Sequence, residues 1–427
     1  MKELLERFLV LKAGESGAVL ASLATLLCTF SSYTMLRPVR DAFGVTSGLD
    51  KIPYLFWGVF GVMLLLQPVY GYLTSRFARS VFLPWVYAFF IANLLAFWVW
   101  FHLQSDHTWI ARTYYVWVSV FNLFVVAAFW GLMADVFTRE QAGRLFGFIW
   151  AGASAGGLIG PALDQLLVAR LGAVNLLPIS ATLLLAGLVF MMQVIRRRRV
   201  AGVAVGAAAP SADAAVGGGV LSAFAQVGRS PYLLGIAVFV LFMTWVSTFL
   251  YLEQQHFVAK AFSNADQRTH FFATIDFWVQ AAALLVQSLL FGRLFRAFGM
   301  RALLVAVPVL MIGGYALFAL VPTFAVLVWV YAARRVADYA LTRPCRDALF
   351  TVVSREEKYQ AKSLIDTFAY RGGDALSGSL YKALTGGLGA SSATIGWLGA
   401  AVSAVWAVLA LALGRAFQRR DGGRASA

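Results

Sequence analysis

VIRRRRVAGVAVGAAAPSADAAVGGGVLSAF, residues 194–224, is a stop followed by a tether. Four successive guanidinium groups, Arg196 to Arg199, end an apolar run. The stretch from Ala201 to Gly219 then has almost nothing to bury, being Ala, Gly and Val with one Pro, one Ser and one Asp, and reads as a flexible linker. Its two flanks decide the fold. Upstream, apolar runs fall at 17–36, 54–74, 82–102, 111–135, 144–168 and 173–195. Downstream they fall at 232–254, 269–292, 302–321, 324–350, 360–384 and 392–415. Each is close to the ~20 residues that cross a bilayer as a helix. The expectation is an all-α membrane protein with twelve transmembrane helices: an N-terminal six-helix bundle (1–199), a cytoplasmic linker (200–228) and a C-terminal six-helix bundle (229–427).

Composition agrees. Of 427 residues 60% are hydrophobic and 13% charged, against about 25% charged in soluble domains. Mean hydropathy is +0.75. A net charge of +15 would suggest nucleic acid in a soluble chain. Here most Lys and Arg fall on one side of the predicted spans, which the positive-inside rule explains without nucleic acid. That rule places both termini and the linker in the cytoplasm, in a bacterial inner membrane. The opening MKELLERFLVLKAGES has no cleavage site and reads as a short amphipathic helix. Cys28 and Cys345 both lie within spans, so no disulfide framework or metal set is expected. No nucleophile or phosphate-loop motif stands out, so neither an enzyme nor a cofactor is expected.

Span 10 is the anomaly. VYAARRVADYALTRPCRDALF, residues 330–350, carries Arg334, Arg335, Asp338, Arg343, Arg346 and Asp347. At 1.5 Å per residue Arg334 and Arg335 lie about 15 Å along the span, near the bilayer midplane. Arg371 and Asp374 lie at a similar depth in span 11. A charge at the bilayer centre costs about 2.5–3.5 kcal/mol on insertion scales and persists where it faces a wet cavity or a partner. One reading is internal pairing: Arg334 with Asp338 and Arg343 with Asp347, four apart, and Arg371 with Asp374, three apart. The other is an anion site. Span 10 holds more positive than negative charge, which favours anion binding at the Arg334–Asp338 group. Arg343, Arg346, Asp347 and Lys362 read better as ion pairs of a gate at the inner end.

Further candidates lie elsewhere. SSYTMLRPVRDAFG closes span 1, with Arg37 and Arg40 in its outer third and Pro38 expected to bend the helix. A snorkelling helix end is the plainer account of Arg37. Asp276 in span 8 and Glu253 at the end of span 7 are proton sites or counter-charges. Asp135 is expected to cap span 4. Tyr331, Tyr339 and Tyr370 lie near the arginines, though interface belts explain most aromatics.

Six plus six spans around a long inner loop is the outline of a major facilitator transporter, which the chain resembles. Two internal echoes agree with it. GYLTSRFARS (71–80) echoes GRLFRAFGMR (292–301), and both resemble the facilitator motif between spans 2 and 3 without its acidic residue. TREQAGRLFGFIWAGASAGGLIG (138–160) echoes SREEKYQAKSLIDTFAYRGGDALSG (354–378), matching Arg144 with Lys362 and Gly160 with Gly378.

Three stretches also resemble the ATP:ADP antiporter family of plastids and intracellular bacteria. YTMLRPVRDAFGV is similar to its Y-x-I-L-R-x-x-K-D signature, with Arg40 for the lysine. FWGLMADVFTREQAGRLFGFIWAGASAGGLI is similar to its F-W-G-x-x-N-x-x-T-x-x-E-A-x-R-x-Y stretch, with Asp135 for the asparagine. RDALFTVVSREEKYQAKSLIDTFAYRGGD follows a third motif in the charges of Arg346, Asp347, Glu356, Lys358, Lys362 and Arg371. The resemblance implies a major facilitator fold and exchange of nucleotides or other phosphorylated anions. It departs at Asp374, where that family has a phosphate-binding lysine.

The expectation is therefore an alternating-access secondary transporter, monomeric in the bilayer, exchanging small organic anions. Arg37, Arg40, Asp276, Arg334, Arg335, Asp338, Arg371 and Asp374 are its expected substrate-binding set. The alternative is a proton-coupled transporter of an unrelated solute.

Overall fold

The computed structural model describes residues 15–200, 220–354, 361–362 and 364–425. The amphipathic start, the linker Ala201 to Gly219, and Glu356 and Lys358 of the third motif lie outside the described residues. Among the described residues every regular element is helical. The long helices are α1 (Ser16–Thr46), α2 (Ile52–Arg76), α3 (Arg79–Leu103), α4 (Thr108–Val136), α5 (Arg139–Leu171), α6 (Leu176–Val200), α7 (Pro231–Ala261), α8 (Ala265–Leu285), α9 (Phe291–Leu320), α10 (Phe324–Ala337), α11 (Tyr370–Lys382) and α12 (Ser392–Ala425). Among the described residues nine helical stretches are long and apolar enough to cross a membrane by length and composition. One of these, Ala265–Leu320, is 56 residues long and holds predicted spans 8 and 9 together. Spans 10 and 11 are shorter helices that carry the arginines and are interrupted by π-helical turns at Asp338–Thr342 and Ile365–Ala369.

Several boundaries differ from the sequence expectation. Span 1 was expected to end near residue 36, but α1 runs on to Thr46, straight through Pro38. Proline leaves the Thr34 carbonyl without its helical donor and does not end the helix. Arg37 and Arg40 are therefore residues of a helix wall, not of a helix end. The expected inner loop after span 8 is also helical, through a π turn at Val286–Leu290, and breaks only at Gly299, whose φ of +73° suits glycine.

The chain forms two compact units. The first comprises 1–48, 65–211 and 262–277; the second comprises 49–64, 212–261 and 278–427. In the first, α1 is central, packed on α4, α5 and α6, while α3 packs on α4 and α6. A glycine row sets the closest approach. A Cβ at Gly152 would lie 2.5 Å from the Leu23 carbonyl oxygen, and one at Gly156 would lie 2.6 Å from that of Leu27. One at Gly160 would lie 2.6 Å from that of Ser31. Small residues every fourth position let two membrane helices touch along their backbones.

In the second unit α9 packs on α12, and α7 on α11, α12 and α10. Gly399 of α12 gives way to the ring of Tyr315, which fills the place a Cβ would take. The Tyr315 hydroxyl donates to the Val246 carbonyl of α7 at 2.6 Å, tying three helices together. Gly373 of α11 meets Thr244 of α7 much as Gly160 of α5 meets Thr34 of α1. By these contacts Gly373 matches Gly160, whereas the sequence echo pairs Gly160 with Gly378, which abuts Phe56 instead.

Candidate functional site

Each unit holds a buried group of charges. In the second unit Arg334, Arg335 and Asp338 are 8%, 5% and 8% exposed. Among the described residues Arg334 forms no salt bridge: its Nε is buried without a hydrogen-bond partner, and its guanidinium lies over the Tyr331 ring at 5.9 Å. Arg335 donates through Nη2 to the Tyr339 hydroxyl at 3.3 Å. Arg343 stacks on Tyr339 with its guanidinium carbon 4.3 Å from the ring centre. An aromatic face supports a cation without neutralising it.

Asp338 does not pair with Arg334 as expected. It accepts from Arg343 Nε at 3.3 Å, five residues on. The π turn at Asp338–Thr342 explains the change, because i and i+5 align there where i and i+4 align in an α-helix. That turn draws Arg343 away from Asp347, its expected partner, and leaves Arg334 without one.

Arg371 lies 3.7 Å from Asp374, as the three-residue spacing predicts, and Asp374 also accepts from Thr248 Oγ1 of α7 at 3.1 Å. Tyr370 lies within the electrostatic reach of Asp338, Arg343, Arg371 and Asp374 together. Glu253 of α7, 2% exposed, accepts from Tyr381 at 2.9 Å and Ser392 at 2.8 Å. Its charge and that of Arg334 both reach Tyr315. The four arginines Arg334, Arg335, Arg343 and Arg371 stand against Asp338, Asp374 and Glu253, leaving one positive charge over.

Near the junction of spans 10 and 11, Asp347 accepts from Lys362 Nζ at 3.0 Å, and Arg346 lies 3.9 Å from Asp347. Arg346 also lies 3.6 Å from Asp366. Arg346, Asp347 and Lys362 thus come together as expected. Arg343 does not join them, and Asp366, which the spacing argument passed over, does.

In the first unit Arg40 donates through Nε and Nη2 to Asp41 at 3.0 and 2.7 Å and lies over Tyr115 at 5.1 Å. Arg37 Nε lies 3.9 Å from Asp276 Oδ2. The partner of Asp276, which is not visible near it in sequence, is thus a residue 239 positions upstream (276 minus 37). The sequence reading also missed Asp164 of α5, wholly buried with neither carboxyl oxygen hydrogen-bonded. The signal was present: Asp164 is the next member of the row Gly152, Gly156, Gly160 that faces α1. Among the described residues no group of three or more His, Cys, Asp or Glu could hold a metal ion.

The Major Facilitator Superfamily model matches residues 17–345. No curated protein matches the chain in sequence. Solved transporters share its fold at low identity. A bacterial homologue of the iron transporter ferroportin in an inward-facing state superposes with a TM-score of 0.67 at 13% identity, covering 94% of this chain and 98% of that one. The POT family transporter PepTSo gives 0.66 at 12%, covering 94% and 98%. The nucleoside transporter NupG gives 0.56 at 16%, covering 96% and 99%.

Proposed function

Since the chain belongs to the Major Facilitator Superfamily, we propose that it is a secondary transporter of organic anions, held in the second unit by Arg334, Arg335 and Arg371. One observation carries this reading: Arg334 is a buried guanidinium with no carboxylate bound to it among the described residues. Such a charge costs several kcal/mol unless an anion offsets it, and in a carrier the anion that does so is the cargo. The planar fork of arginine suits carboxylate and phosphate oxygens. Within the first unit, Arg37, Arg40 and Asp276 are a second proposed group of substrate-binding residues. The resemblance to nucleotide exchangers favours a nucleotide or another phosphorylated metabolite. Asp374, negative where those exchangers have lysine, favours the less highly charged members of that class. The proposed setting is a bacterial inner membrane with both termini in the cytoplasm, and the proposed cycle is alternating access.

The proposed mode is exchange of one anion for another. The second reading, proton coupling, is supported by Asp164, a buried carboxyl without a partner. The two differ in what resets the empty carrier. Uptake of labelled nucleotide monophosphates and sugar phosphates into proteoliposomes tests both. Uptake that needs anion inside and ignores a protonophore supports exchange. Uptake into empty vesicles along a pH gradient supports coupling. No saturable uptake of any organic anion overturns the anion reading.

A further inference from the structure

We infer that the arginine-lined end of the α9–α12 pair, in the second unit, is a binding site for the headgroup of an anionic phospholipid. The inference holds whichever solute is carried.

The two helices run antiparallel. Gly396 abuts Ala319, Gly399 abuts the Tyr315 ring and Gly414 abuts the stem of Arg301. The end of α12 therefore lies beside the part of α9 that follows its break at Gly299. Arg301 and Arg415 close the apolar runs of the two helices, which sets the edge of the bilayer at their level.

Six arginines belong to this end. Arg293 and Arg296 precede the break, Arg301 follows it, and Arg415, Arg419 and Arg420 lie near the end of α12. Arg301 is half-buried and the other five are exposed. Among the described residues none of the six forms a salt bridge. Other basic residues near helix ends are answered by carboxylates: Arg144 lies 3.2 Å from Glu15, Lys51 2.9 Å from Asp50 and Lys362 3.0 Å from Asp347. Here acids are scarce. The chain has no Asp or Glu from Trp278 to Ala337, and α12 has only Asp421.

The positive-inside rule accounts for the side on which such residues lie, but not for their being held in place. A Cβ at Gly414 would lie 2.8 Å from Arg301 Cγ, so the Arg301 stem occupies the notch that glycine leaves. Arg420 lies over the Tyr232 ring of α7, its guanidinium carbon 4.5 Å from the ring centre. The Tyr232 hydroxyl is fixed in turn by donating to the Leu349 carbonyl at 2.8 Å. Arg415 and Arg419, four apart, share one face of α12. Guanidinium forks suit phosphate oxygens, which they can take two at a time.

Apolar surface beside the charge favours a lipid over a soluble anion. Phe295 and Phe298, 40% and 65% exposed, flank Arg296. Arginine on one face and exposed phenylalanine on another is the pattern of a helix at headgroup level. The headgroup takes the arginines and the acyl chains take the apolar surface. A lipid bound there braces α7, α9 and α12 together, because Arg420 already joins α12 to α7 and Arg301 joins α9 to α12.

The test uses the purified full-length protein in neutral detergent, with phosphatidylglycerol or phosphatidylcholine added and no solute. Phosphatidylglycerol should raise the unfolding temperature and stay bound in native mass spectra; phosphatidylcholine should do neither. Arg415→Gln/Arg419→Gln should need about tenfold more phosphatidylglycerol, or beyond, for the same rise, since each arginine near the surface is worth about fivefold. Arg76→Gln/Arg196→Gln removes the same charge from exposed positions of the first unit and should leave the response unchanged. Arg301→Gln should also weaken it, and decides the matter if the first double variant folds poorly. An equal loss in both double variants would reduce the effect to net charge and overturn the proposal. So would the absence of any rise in the parent, or a full response in Arg415→Gln/Arg419→Gln. Inorganic phosphate reproducing the rise at the same concentration would overturn the assignment to a lipid.

Discussion

Asp338 accepts a hydrogen bond from Arg343 across a π-helical turn, at 3.3 Å. That pairing sets the charge pattern of the whole site. It uses the acid nearest to Arg334 in sequence and, among the described residues, leaves the buried Arg334 guanidinium without a carboxylate.

Breaking the pair from one side should cost more than removing both partners. Arg343→Ala leaves Asp338, whose side chain is 11% exposed, without its cation, which is strongly destabilising for buried groups. Because Arg343 itself is half exposed, the loss should be about 1–2 kcal/mol. Adding Asp338→Asn should recover part of it, with a coupling of about 0.5–3 kcal/mol. Thermal unfolding of the four members of the cycle in detergent measures this. Additive losses would mean that the pair contributes nothing.

The glycines of α5 should divide sharply. A Cβ at Gly156 meets the Leu27 carbonyl oxygen at 2.6 Å and the Ser31 nitrogen at 2.8 Å, both backbone atoms. Gly156→Ala should therefore destabilise by about 1–3 kcal/mol through overpacking. Gly143 and Gly147, on the same helix, face open space. Alanine at either should be neutral or stabilise by about 0.5–1 kcal/mol. Equal unfolding temperatures for the three variants would contradict the packing of α5 on α1.

How far these features were legible beforehand differs by kind. The spans were readable because a bilayer demands long apolar runs. The pairing of Asp338 was not readable, since spacing arguments assume 3.6 residues per turn and the π turn breaks that assumption. The Arg37–Asp276 contact joins residues far apart in sequence, and no local pattern records it. Asp164 was readable in principle, as the next position of a glycine row facing another helix, and was missed because a lone acid among apolar residues attracts less notice than a cluster of arginines.

Orientation is open to a direct chemical test. Asp106, in the turn between α3 and α4, and Gln418, near the end of α12, are both exposed. Single cysteines at the two positions, without Cys28 and Cys345, should react with an impermeant maleimide from opposite sides of the membrane, with Gln418 on the cytoplasmic side. Reaction from the same side would overturn the assignment made from the basic loops.

Asp374→Lys restores the residue of the nucleotide exchangers. It also removes the acceptor of Thr248 and puts a cation beside Arg371. The variant should bind nucleoside di- and triphosphates more tightly than the parent while unfolding at a lower temperature. Unchanged nucleotide binding with unchanged stability would show that Asp374 lies outside the site.

Replacing Arg334 by methionine, of similar size and without charge, tests the central claim most directly. The measurement is the unfolding temperature of the purified protein with and without a panel of nucleotide monophosphates, sugar phosphates and dicarboxylates. A ligand that binds the folded state raises that temperature, by the equivalent of about 2.7 kcal/mol at a hundred times its Kd. If Arg334 is held in place for an anion, Arg334→Met should unfold at the same or a higher temperature without ligand, because a costly buried charge is gone. It should also lose the anion-dependent rise seen in the parent. A variant that unfolds earlier without ligand, yet keeps the full rise with the same anion, would make Arg334 a structural cation and contradict the account.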